Sequence, residues 1–164
     1  MLGVYEDFPE TIHCAISFTY KTSQAKIQNA ILDTFYTLNQ RIHELNEIIA
    51  HSLDCNVSFE CGIAETLNFT YIDKEELNKF KKMITKKTTF ATLDFLCITK
   101  YHKKTEKERK KKPLKFDYYI LRFLFHGKTM LILAYHERGP QHIPPGDLLK
   151  FIAQKIAKEL HRKT

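Results

Sequence analysis

The chain reads as an α+β protein with a single antiparallel sheet and helices mainly on one face, and three observations carry that reading. Residues 11–20 alternate, with Ile12, Cys14, Ile16, Phe18 and Tyr20 on one parity and Thr11, His13, Ala15, Ser17 and Thr19 on the other. This period of two marks a half-buried strand. From Ile27 the period changes: Ile31, Phe35, Leu38, Ile42, Leu45 and Ile49 follow at steps of three and four, the stripe of an amphipathic helix. Late in the chain, residues 116–125 and 129–135 flank His126, Gly127 and Lys128, which predicts a hairpin turned at glycine.

The remaining elements follow from local chemistry. Ser23 is placed to cap the first helix, whose stripe is expected to run as far as Ile49. Val57, Phe59 and Cys61, then Leu67, Phe69 and Tyr71, alternate as two paired strands, with Gly62 as a bend or bulge near their junction. Asp73 and Glu76 form a capping box ahead of Leu77, Phe80, Met83 and Ile84, a short helix expected to end near Thr85. Residues 90–101 are apolar on both parities, as in a central strand. Pro140, Pro144, Pro145 and Gly146 exclude regular structure before Asp147 and Leu148, after which Leu149, Ile152, Ile156 and Leu160 define a last helix. The expected order is β-α-β-β-α-β-β-β-α in one domain spanning 1–164.

Charge is distributed unevenly. Residues 103–115 (KKTEKERKKKPLK) hold eight Lys and Arg against two Glu, so +6 of the formal +7 lies in one connection and the remainder is nearly neutral. Such a loop meets polyanions as a local patch. The four cysteines, Cys14, Cys55, Cys61 and Cys97, contain no CxxC pair, which argues against zinc and for thiols packed as small hydrophobes. With acidic residues Glu6, Asp7 and Glu10 interrupting any leader-like run and no apolar stretch of membrane-spanning length, the expectation is a cytoplasmic protein that does not enter a membrane.

The first candidate site is the basic connection itself: Lys103, Lys104, Lys107, Arg109, Lys110, Lys111, Lys112 and Lys115 would grip nucleic-acid phosphates without reading bases. The second is the Pro/Gly-rich turn, where His136, Arg138 and His142 stand with free backbone N–H groups near a helix start, a setting for a phosphate. Tyr118, Tyr119, Phe123, Phe125 and Tyr135 offer faces for unpaired bases if one sheet face is open, and Tyr119 is the expected exposed example because it shares parity with Asp117. These features favour non-catalytic binding of RNA, or less so DNA, without a cofactor.

Two alternatives use other residues. Asp94, Asp117 and Glu137, with Lys100 or Lys128, would form a metal-dependent nuclease site, or His126, His136 and His142 would cleave phosphodiesters by acid–base chemistry. A third class is a protein-interaction module with an acidic partner, or a homodimer joined along the first helix through Gln28, Asn39, Asn46 and Glu47. Walker, dinucleotide-binding, HExxH, GxSxG and kinase signatures are all missing from the sequence, which gives those enzyme classes no support.

Overall fold

The computed structural model describes residues 1–50, 54–103 and 115–162. One antiparallel sheet carries three helices, in the order β1 (Cys14–Thr19), α1 (Gln24–Gln40), β2 (Ile42–Glu44), β3 (Cys55–Glu65), β4 (Asn68–Tyr71), α2 (Lys74–Met83), β5 (Thr92–Lys103), β6 (Lys115–His126), β7 (Thr129–Arg138) and α3 (Pro145–Arg162). The sheet runs β1-β7-β6-β5-β3-β2, with β4 paired to β3, and curls into a half-barrel. This is the expected α+β arrangement, with β2 as an added edge strand.

Strand parity decides what each face does. Leu93, Phe95, Cys97 and Tyr101 of β5, and Tyr119, Leu121 and Phe123 of β6, point to the face on which α1 and α3 lie, and all are buried. At its centre Phe35 of α1 stacks on Phe95 with ring centroids 4.2 Å apart, and Phe123 meets both rings edge-on. Each such ring contributes on the order of 2 kcal/mol through its burial. The opposite parity forms an outer face without helices.

The caps read from sequence are present. Ser23 Oγ accepts from the Lys26 N–H at 3.2 Å, and Asp73 Oδ1 accepts from the Glu76 N–H at 2.8 Å. The first helix is shorter than its apolar stripe implies. It stops at Gln40, where the Arg41 N–H turns back to the Leu38 carbonyl, and Ile42–Glu44 pair with residues 56–58 of β3. A three-residue step serves strand and helix alike here: Ile42 is exposed, while Leu45, in a short 3-10 turn, plugs the core.

Polar residues on α1 stitch it to its own sheet. Gln28, fully buried, donates to the Phe90 carbonyl at 2.6 Å and accepts from the Phe90 N–H at 3.0 Å. The Asn39 side-chain amide donates to the carbonyls of Cys61 and Ile72 and accepts from the Cys61 N–H. Two of the four polar positions considered for a dimer seam are thus engaged within the chain. All four cysteines are free thiols, with Cys61 and Cys97 buried and their sulfurs 3.7 Å apart. No helix among the described residues is long and apolar enough to cross a membrane.

Candidate nucleic-acid interface

The basic connection joins β5 to β6, and its described ends, Lys103 and Lys115, are both exposed. Lys104, Lys107, Arg109, Lys110, Lys111 and Lys112 lie outside the described residues. The antiparallel register fixes what stands beside the loop. On the outer face one row of neighbours runs Ser58, Lys100, Phe116, and the next runs Glu60, Ile98, Tyr118, Arg138. Phe116 and Tyr118 stack at 6.4 Å, the Arg138 guanidinium lies 4.1 Å over the Tyr118 ring, and Lys100 sits 5.5 Å from the Phe116 centroid. Glu60 pairs with Lys100 at 3.1 Å. Aromatic planes and cations therefore share the end of the sheet from which the charged loop leaves.

On the helix-covered face at this same end, Asp117 anchors the turn that follows β7. Its carboxylate is fully buried and takes four hydrogen bonds. Oδ1 faces His136 Nε2 at 2.8 Å and accepts from the Gln141 N–H at 2.6 Å. Oδ2 accepts from the Tyr101 hydroxyl at 2.5 Å and the His142 N–H at 2.9 Å. Tyr101 receives the Thr99 hydroxyl at 2.9 Å, and Tyr119 donates to the Ile143 carbonyl at 2.5 Å. The backbone follows because Gly139 adopts φ +113° and Gln141 φ +57°, folding successive N–H groups toward one point.

The electrostatics agree with this geometry. Burial alone raises the Asp117 carboxyl, but the hydrogen bonds from Tyr101, His136, Gln141 and His142 outweigh it and hold the group below the ordinary carboxylate value. Tyr101 and Tyr119 are driven well above the usual phenol range, first by burial, so both stay protonated and act as donors. A depressed carboxyl stabilises the fold above the unfolded value of about pH 3.9, and that contribution disappears as pH falls through the lower folded value. The melting temperature of the native chain should therefore fall more steeply below pH 4 than that of Asp117→Asn. Parallel curves would show that Asp117 does not carry this charge-dependent anchoring.

The residues singled out from sequence are partly dispersed. His136 and His142 do converge on Asp117, with the His142 ring edge-on to Tyr101, so the anion gathered by this turn is the chain's own carboxylate. Arg138 does not join them: an irregularity in the β6–β7 register leaves Glu137 between His136, opposite Tyr119, and Arg138, opposite Tyr118, which turns Arg138 to the outer face. Tyr119 is buried, not exposed. Its shared parity with Asp117 holds, but that parity points inward, so the aromatic residue available beside the loop is Tyr118.

Asp94 and Asp117 lie on opposite faces and are separated by five rows of the β5–β6 ladder, roughly 17 Å along the strands. Asp94 is held by Arg122 through two bonds of 2.7 Å and accepts the Tyr5 N–H, while Arg122 also covers Phe8 at 4.1 Å; together they clamp the N-terminal segment onto the outer face. Glu137 is exposed in the register irregularity, and Lys128 donates to the Thr22 carbonyl at the far hairpin, beside His126. Among the described residues no group of three or more His, Cys, Asp or Glu side chains is placed to hold a metal ion. The buried Asp117 was legible in principle, because Tyr119, Leu121, Phe123 and Asp117 share one parity. Compared with known protein families, curated proteins and solved structures, the chain matches none.

Proposed function

We propose that this protein is a non-catalytic nucleic-acid-binding protein that takes RNA in preference to DNA, holding phosphates with the 103–115 connection. The observation that carries the reading is the coincidence of this loop, with +6 of the chain's +7, and the outer-face group of Lys100, Phe116, Tyr118 and Arg138 at its base. Lysine and arginine neutralise the backbone, and the aromatic–cation group supplies a surface on which unpaired bases stack. Stacking favours single strands, hence RNA. Free thiols, two of them adjacent and not joined as a disulfide, accord with a cytoplasmic setting.

Replacing Arg109, Lys110, Lys111 and Lys112 by serine is expected to weaken binding of single-stranded RNA. If all four contact phosphate, the slope of log affinity against log salt falls by up to about 3. The melting temperature should stay near that of the native chain. Filter binding at two salt concentrations checks this, and an unchanged slope would remove the loop from the interface. Cleavage of the bound RNA in Mg²⁺ would overturn the non-catalytic assignment.

A further inference from the structure

The path of the sheet ends in two edge strands, and they are unlike. β2 is three residues long, includes Glu44 and follows Arg41, a short and charged edge of the kind that discourages pairing with another chain. β1, at the other end, is six residues long. From Thr11 to Tyr20 there is no Lys, Arg, Asp, Glu, Pro or Gly to guard it. Its direction of hydrogen bonding is fixed by the Tyr20 N–H, which donates to the Lys128 carbonyl at 2.9 Å, in step with the pairing of Thr19 with Thr129. In an antiparallel ladder alternate residues bond to the same neighbour, so Cys14, Ile16 and Phe18 bond to β7 while Ala15, Ser17 and Thr19 turn N–H and C=O groups to the open edge.

Side chains and charge add two independent observations. Ala15, Ser17 and Thr19 are exposed, whereas Cys14, Ile16 and Phe18 pack on the core and are only half covered, so the apolar layer itself is open at this edge. The two ends of β1 carry opposite charge. Where the strand finishes, Lys128 donates to the Thr22 carbonyl and thus stands beside Lys21. Where it starts, Glu10 lies just ahead, and Glu137 adjoins His136, whose N–H is bonded to the His13 ring. All four charged residues are exposed. A strand of uniform charge laid along β1 is repelled at one end, while a second β1 running the other way is matched at both.

We propose that β1 is the interface of a homodimer, pairing antiparallel with β1 of a second copy about a two-fold axis through Ser17, so that two sheets become one. This register engages every outward-facing group, because Ala15 comes opposite Thr19 of the second copy and Ser17 opposite its counterpart, each pair exchanging two hydrogen bonds. Parity is kept. On the inner face Ile16 meets Phe18 of the second copy, which covers the half-exposed apolar layer. Lys21 of each copy arrives opposite His13 of the other, within side-chain reach of Glu137. The contact is self-complementary and closed, as a two-fold interface requires. One strand pair covers little surface, so the dimer is weak, with dissociation in the micromolar range.

Sedimentation velocity of the full chain, from low micromolar to half-millimolar concentration, should show monomer giving way to dimer and to nothing larger, because pairing uses both open edges. Amide exchange followed by NMR reads the register: Ala15, Ser17 and Thr19 should exchange at least about tenfold more slowly at the high concentration, while Ile16 and Phe18 stay protected throughout. Ser17→Lys, a change at an exposed position, sets two like charges face to face and should weaken the dimer at least about tenfold, with the melting temperature of the dilute protein unchanged. Lys21→Glu alone and Glu137→Lys alone should each weaken it several-fold, and the two together should restore it. A chain that stays monomeric, a dimer in which those three amides gain no protection or that ignores Ser17→Lys, growth beyond the dimer, or a double reversal no better than the single ones would overturn the pairing. Serine replacement of residues 109–112 should leave the dimer unchanged, so failure of the loop and failure of this edge are read separately.

Discussion

Asp117→Ala is expected to destabilise the protein by about 4 kcal/mol, because it removes the shared acceptor of one buried and three part-buried donors that arrive from three directions. The Tyr101 hydroxyl, His136 and the N–H groups of Gln141 and His142 all lose their acceptor, and Tyr101, itself buried, is the donor farthest from replacement by water. For a chain of this size that corresponds to a fall in melting temperature of roughly 8–16 °C. Asp117→Asn keeps the shape and one acceptor oxygen but turns an NH₂ toward donors, so it should lose about 2–3 kcal/mol. Chemical denaturation of both variants measures this directly. A loss below about 1 kcal/mol for the alanine variant would mean that the turn is fixed by something other than this carboxylate.

Gly139→Ala is expected to cost nearly as much, about 3–5 kcal/mol, through two causes that reinforce each other. At φ +113° an L side chain is strained whatever space it has, and here there is none: an added Cβ would overlap the Phe116 carbonyl oxygen, Asp117 Oδ1 and Asp117 Cα. Two of those atoms are backbone and the third is locked by its hydrogen bonds, so relief requires β6 and the turn to separate. Gly127 is the contrast. Its φ is +60°, but nothing lies within 4 Å of a Cβ there, so Gly127→Ala should retain most of the stability. Melting curves of the two alanine variants side by side give the comparison, and equal losses would contradict the steric account.

How much of this was readable beforehand depended on whether one period dominated locally. β1, β6 and β7 alternate over long stretches, α2 carries a capping box, and α3 follows a proline barrier, so each was visible from neighbouring residues alone. β2 was not, because Ile42 and Leu45 continue the helical step of α1, and only pairing with β3 shows that they belong to an edge strand and a turn. The N-terminal segment was hidden for a similar reason: its fixation by Asp94 and Arg122 joins residues far apart in the chain.

The candidate site shows the same limit more sharply. The sequence places His136 and His142 beside a possible anion, but the anion comes from β6, and no local rule says that a carboxylate between aromatic residues is buried. Parity carries the clue, but an aspartate on a strand ordinarily marks the solvent side, whereas here Asp117 and Tyr119 are buried together.

The placement of β1 beside β7 also governs the order in which the molecule can be assembled during synthesis. The His136 N–H closes on His13 Nδ1 across 123 residues, and β1 pairs along its whole length with β7. Until that late strand has emerged from the ribosome, the earliest strand has no hydrogen-bonding neighbour and α1 lacks much of the surface it covers. Contacts this distant in the chain make for slow closure, and the nascent polypeptide carries an unpaired apolar edge for most of its translation, an interval in which protection by a chaperone has the most to offer.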